Sequence, residues 1–253
     1  MHKVCEIQLA LYQHLDAKVS EVLKQFKVSC SKGCSECCKQ ITTVMLPEGT
    51  LIAEVVLTWP TWRKWAGKLR KWCDQFAGPE VTRDSYFNAQ VPCPFLNHNG
   101  EVCRIYEYRP SACRYLYAVS PKEMCSANNK TKLISYLNLH EIEAQSWKFA
   151  QDVQPDGTLA VAAPLPLMVL TCMGMLQPQN KVIFELLEGL PTPGEWMEKT
   201  IQNMDQFKGE FSPQESDPII DAAVKAGVIP EDIYEDRHQR SSSFHLYDGP
   251  HRS

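Results

Sequence analysis

Eight of the eleven cysteines of this chain fall into two blocks whose spacing suits the gripping of an inorganic centre. The first block reads Cys30-x3-Cys34-x2-Cys37-Cys38. The second is spread over Cys93, Cys103, Cys113 and Cys125, with nine, nine and eleven residues between successive members. A thiolate is a soft donor that selects zinc, iron–sulfur clusters or Cu(I) over hard cations. Four thiolates around a divalent ion leave an excess of negative charge. Lys39, Arg104, Arg109 and Arg114, each close in sequence to a cysteine, are therefore expected to hydrogen-bond the ligands and offset that charge.

Side chains of adjacent residues diverge, so either Cys37 or Cys38 ligates while the other packs, or the two face different metals. Eight thiols suffice for two four-coordinate sites, or for one site plus a reactive pair. Structural zinc sites favour two short Cys-x2–4-Cys knuckles, and only the first block supplies one. Iron–sulfur sites tolerate more scattered ligands and often carry a proline after a ligand cysteine, as at Cys93-Pro94. The expected cofactor is thus zinc or iron, with an iron–sulfur cluster as one form of the latter. The first-block spacing is also that of radical S-adenosylmethionine enzymes. Glu36, however, stands where those enzymes carry an aromatic residue, and no repeated strand–helix pattern accompanies the motif.

The elements that must position these thiols read as mainly helical. Apolar residues from Val4 to Phe26 recur at three- and four-residue steps, which predicts an amphipathic helix over 4–27. Gly33 permits a tight turn within the first cysteine block. Pro47 and Glu48 suit the first turn of a helix running to about Thr58. A third helix, over 60–76, sets Trp62, Trp65, Ala66, Leu69, Trp72, Cys73 and Phe76 on one face and Arg63, Lys64, Lys68, Arg70 and Lys71 on the rest. Its bland reading is a core helix with a solvated basic face, and its functional one is a surface for a membrane or an acidic partner. Residues 77–130 are rich in proline, asparagine and glycine, a long loop unless something organises it. Within it Pro110 is expected to start a short helix carrying Cys113. Further on, the pattern predicts a strand over 133–139 and helices over 139–152, 164–176, 193–206 and 217–227. The expected organisation is a single helical domain, 1–236, with a cysteine-cluster part at 28–126 and a helical part at 131–228. A loose polar tail follows at 237–253. Cys5, Cys73 and Cys172 fit apolar helix faces and read as packing thiols. His98, five residues after Cys93, reads as an exposed loop residue rather than a ligand.

The 253 residues carry 26 Lys plus Arg against 30 Asp plus Glu, a formal charge of −4. That balance argues against nucleic-acid binding, which needs a basic excess. Charges at Lys3, Glu6, Asp16 and Lys18 break up any export signal. The thiols are then expected to stay reduced in a cytoplasmic setting, where clustered cysteines serve metal or redox chemistry. Residues 158–176 carry no charge, but Pro164 and Pro166 interrupt them, so a buried helix is expected there rather than a membrane span.

The segments CSKGCSECCKQ with Pro47-Glu48 after it, then CPFL, CRIYEYRPSACRYL and Cys125, resemble in order the YkgJ family of cysteine-cluster proteins. The resemblance covers about residues 28–126. It implies a domain that chelates zinc or iron through Cys30, Cys34, Cys37, Cys38, Cys93, Cys103, Cys113 and Cys125. Flagellin lysine N-methylase is a related cysteine-motif protein, so the same resemblance gives a methyl-transfer reading some support, without a glycine-rich cofactor loop here to accompany it. Three functions follow as expectations: a protein whose metal is structural, an iron–sulfur enzyme of redox or methyl-transfer type, and a thiol-based metal chaperone or sensor using the Cys37–Cys38 pair.

Overall fold

Where apolar residues recur with helical period, the chain coils; where they lapse, short turns and side-chain tethers take over. The computed structural model describes residues 3–207, apart from 26, 32, 79–80, 82–84, 87–88, 98–101, 119–124, 126–147 and 149–160. The chain divides into two compact units, residues 1–201 and 202–253, and of the second only residues 202–207 are described.

Seven helices are present among the described residues: α1 (Lys3–Leu23), α2 (Leu46–Leu57), α3 (Trp62–Phe76), α4 (Ser111–Tyr115), α5 (Leu165–Leu176), α6 (Lys181–Leu187) and α7 (Pro193–Phe207). Two short strands, β1 (Thr43–Met45) and β2 (Ala162–Pro164), pair antiparallel with Val44 opposite Ala163. The mainly helical expectation holds. The periodicity locates α1, α2, α3, α5 and α7 to within a few residues and places Cys113 on α4. Helix α6 and the two-stranded sheet are additions. The strand expected over 133–139 and the helices expected over 139–152 and 217–227 lie outside the described residues, save Lys148. So does the polar tail.

The core lies between α2, α3 and α5. Ile52, Ala53 and Val56 of α2 meet Leu167, Met168, Leu170 and Met173 of α5, and Ala66, Leu69, Trp72 and Cys73 of α3 close the cluster. Helices α2 and α5 come very close at Gly49, where an added Cβ would overlap Met168 Cγ and stand 3.2 Å from Cys172 Sγ. Helix α5 is apolar on every side and is buried from Leu165 to Leu170, as a central helix must be. The described part of the uncharged stretch is core from Ala162 to Leu170, and no described helix is long and apolar enough to cross a membrane. Helix α1 adds a second cluster, in which Cys5, Tyr12, Leu15 and Val19 pack on Leu51 of α2.

Helix α3 buries Ala66, Leu69, Trp72 and Cys73 and leaves Arg63, Lys64 and Lys71 exposed, the geometry of a core helix with a solvated basic face. Cys5, Cys73 and Cys172 are buried among apolar neighbours, as packing thiols should be.

Candidate metal centre

The first cysteine block turns at Gly33, whose φ of 87° lies in the left-handed region that a side chain disfavours. A single 3-10 turn, Glu36–Lys39, then carries Cys37 and Cys38. The second block approaches from the loop-rich segment. The Cys93 N–H donates to the Cys38 carbonyl at 2.7 Å, which sets the two blocks side by side. An isolated bridge pairs Leu96 with Cys103, and a 3-10 turn at Tyr106–Tyr108 leads to α4 and Cys113. Cys113 Sγ stands 4.0 Å from Thr42 Oγ1, at the start of the strand connection. Beyond α4 the chain returns to the first block. The Ser29 N–H donates to the Ala118 carbonyl at 2.9 Å, and the Ala118 N–H donates to Cys30 Sγ at 3.2 Å.

The loop carrying Cys93 is held from the helical side. Lys68 of α3 donates to the Pro94 carbonyl and lies 4.9 Å from the centroid of the Trp65 ring. That ring stacks on buried Phe95 at 5.8 Å. Helix α4 is held from the opposite side by a buried polar network. Glu48 accepts from Tyr12 Oη at 3.1 Å, from the Met45 N–H at 3.0 Å and from the Ser111 N–H, the first of α4, at 2.7 Å. Arg114 of α4 donates to Asp16 Oδ2 at 2.5 Å and lies 4.0 Å from the centroid of the Tyr12 ring. Sequence reasoning took Glu48 only as a helix-start residue and did not single out Tyr12, Asp16 or Lys68 as supports. Nothing in a single sequence marks a carboxylate as the meeting point of three elements.

None of the eleven cysteines is in a disulfide. Burial raises the thiols of Cys30, Cys103, Cys113 and Cys125 above their ordinary range and pushes Cys93 to about 12. Cys37 differs: hydrogen bonding with the adjacent Cys38 thiol lowers it, while the same interaction, with burial, raises Cys38. The mutual fields sort the thiols. Cys38, Cys93, Cys103 and Cys113 act on one another in a chain of pairs, Cys30, Cys34 and Cys125 do likewise, and Cys37 acts on members of both groups. Backbone geometry joins the two blocks at Cys38 and Cys93 and ties Cys30 to Ala118 beyond Cys113.

Among the described residues no three His, Cys, Asp or Glu side chains close into a group that would hold one ion, so no coordination geometry is assigned. The donor set still fits a thiophilic metal. It offers eight unbridged sulfurs, in surroundings where an uncompensated thiolate is costly. The basic residues divide: Arg114 is committed to Asp16, Lys39 to Glu36 at 3.0 Å, and Arg104 is exposed, whereas Arg109 acts on the thiols. Ile105 is buried, whereas Tyr106 is 44 % exposed and lies under the Arg109 guanidinium.

A cysteine-cluster domain held between helices is the class this arrangement defines. Residues 29–134 match the CxxCxxCC family, described as "Putative zinc- or iron-chelating domain", and this segment is a domain of that family. No curated protein matches the chain. No solved structure matches it.

Proposed function

We propose that the protein holds zinc or iron through Cys30, Cys34, Cys37, Cys38, Cys93, Cys103, Cys113 and Cys125. The observation that carries this reading is the 2.7 Å hydrogen bond from the Cys93 N–H to the Cys38 carbonyl, which joins two thiol blocks far apart in sequence. Eight thiols suffice for two four-coordinate centres, and Cys37, which acts on thiols of both blocks, stands between them. With two centres, adjacent Cys37 and Cys38 would face different ions, which avoids the strain of binding one. The bound metal, zinc or iron, supplies the cross-links that the loop-rich segment lacks, so binding free energy counts as folding free energy. A cytoplasmic setting suits eleven unpaired thiols.

A second reading, metal transfer, draws on one observation: Cys37 is exposed whereas the other seven thiols of the two blocks are not. An open ligand is the natural point of entry for a competing thiol. An iron–sulfur enzyme of redox or methyl-transfer type remains the alternative that the family relationship raises.

Elemental analysis of anaerobically purified protein tests the proposal. Stoichiometric zinc or iron is expected, lost on Cys34→Ser and retained on Cys172→Ser. Acid-labile sulfide accompanying iron selects the cluster, and metal that passes rapidly to a competing thiol selects transfer. Metal content unchanged by serine substitution throughout both blocks would reject the assignment.

A further inference from the structure

We propose that Arg109 is a charge-balancing cation of the thiol cluster, beside Lys68 at Cys93, donating its Nε–H to a ligand sulfur and offsetting the negative charge that the thiolates acquire when they hold a metal. This rests on the metal-binding reading above.

Four cations flank the cysteines in sequence, and the structure leaves one of them for this task. Arg114 is buried and spent: its guanidinium bonds Asp16 Oδ2, the Arg109 carbonyl at 2.8 Å and the Glu107 carbonyl, over the Tyr12 ring. Lys39 pairs with Glu36 beside it in the 3-10 turn. Arg104 is exposed, and water weakens what it can contribute. Arg109 is half-buried, with its guanidinium carbon 4.3 Å from the centroid of the Tyr106 ring. Its charge acts on the Tyr117 hydroxyl. Its Nε is buried and has no hydrogen-bond partner. Asp16, the carboxylate that acts on it, is already bonded to Arg114.

An unpaired buried N–H costs about 1–3 kcal/mol, so a native protein is expected to give it an acceptor. The Tyr117 hydroxyl and Asp16 act on the guanidinium, and so do sulfurs: Cys37, Cys103 and Cys113 all lie within its electrostatic range. Protonated thiols are poor acceptors, whereas metal-bound thiolates are good ones. The backbone fixes the placement, since the Arg109 carbonyl is held by Arg114 Nε and its N–H by the Tyr106 carbonyl at 3.4 Å. Arginine suits the role because its charge is permanent and its N–H fork is rigid.

The test is titration of the metal-free protein with Co(II), whose sulfur-to-metal charge-transfer band reports on the ligand sulfurs. Arg109→Gln should weaken Co(II) binding about 10–100-fold, the range typical of losing an outer partner of a metal ligand. It should also move the band to longer wavelength, because a sulfur without its hydrogen bond gives up electron density more readily. Arg109→Lys keeps the charge but not the Nε–H, so it should recover most of the affinity while the band stays shifted. A purely structural role would leave the band in place. Should Arg109→Gln fail to fold, Arg109→Lys carries the test through its band. Wild-type affinity and an unmoved band in the variants would overturn the inference. Failure of the wild-type protein to bind Co(II) would instead overturn the metal-binding reading beneath it.

Discussion

Replacing Glu48 by alanine removes the point at which three elements meet, and the cost can be worked from the geometry. The side chain is 2 % exposed and accepts from Tyr12 Oη, the Met45 N–H and the Ser111 N–H at 3.1, 3.0 and 2.7 Å. Hydrogen bonds to a charged acceptor contribute about 1.5–3 kcal/mol each, though bonds to one carboxylate are not additive. Breaking a buried charged network costs about 3–5 kcal/mol, which we take as the expectation for Glu48→Ala. Glu48→Gln keeps one acceptor oxygen and turns an amide toward the remaining donor, so about 1.5–3 kcal/mol should be lost. Tyr12→Phe removes a single donor and should cost about 1–2 kcal/mol. With a urea slope of about 2–3 kcal/mol/M, Glu48→Ala lowers the midpoint by roughly 1–2.5 M. Because the Ser111 N–H begins the helix carrying Cys113, metal affinity should weaken in the same order. The assay is urea unfolding followed by far-UV circular dichroism, with and without metal. A Glu48→Ala midpoint within about 0.3 M of wild type would refute the network argument, since that shift is under about 1 kcal/mol.

Two further outcomes follow from the core. Gly49→Ala drives a methyl into Met168 Cγ at the α2–α5 crossing and should cost about 1–3 kcal/mol by overpacking, measurable by the same unfolding curves. The thiols of Cys73 and Cys172 are pushed by burial to about 12, whereas in the unfolded chain they titrate near the ordinary value of 9.0. Above pH 9 the unfolded state therefore loses protons that the native state keeps. The stabilisation is complete below pH 9 and declines toward pH 12, by up to ~1.4 kcal/mol per pH unit for each thiol. Cys172→Ala should flatten that decline between pH 9 and 10.5; parallel curves for variant and wild type would contradict it.

Much of the fold was legible because helical periodicity survives in a single sequence. The spacing of Val4 through Val22, the proline starts at Pro47 and Pro193, and the uncharged run after Pro164 each marked a helix close to where one lies. Helix α6 escaped because Val182 and Phe184 are exposed and Ile183 alone is fully buried, so its seven residues carry no apolar stripe. The sheet escaped because three-residue strands are too short to show alternation. At the site, thiol spacing nominated the cysteines, since the donor types are explicit in the sequence. Their supports were not explicit. Whether Arg109 or Arg114 faces the thiols depends on Asp16, nearly a hundred residues earlier, reaching Arg114 first. Proximity in sequence alone cannot separate two arginines five residues apart.

The central claim is that sulfur atoms from both cysteine blocks share in holding metal. Sulfur-edge and metal-edge X-ray absorption on the anaerobically loaded protein measures it most directly. Account and measurement agree if each zinc or iron has a first shell made of sulfur, at about 2.3 Å for zinc, and if serine at either Cys38 or Cys93 removes sulfur from it. A shell of nitrogen and oxygen, or one untouched by substitution in one of the two blocks, would contradict the claim.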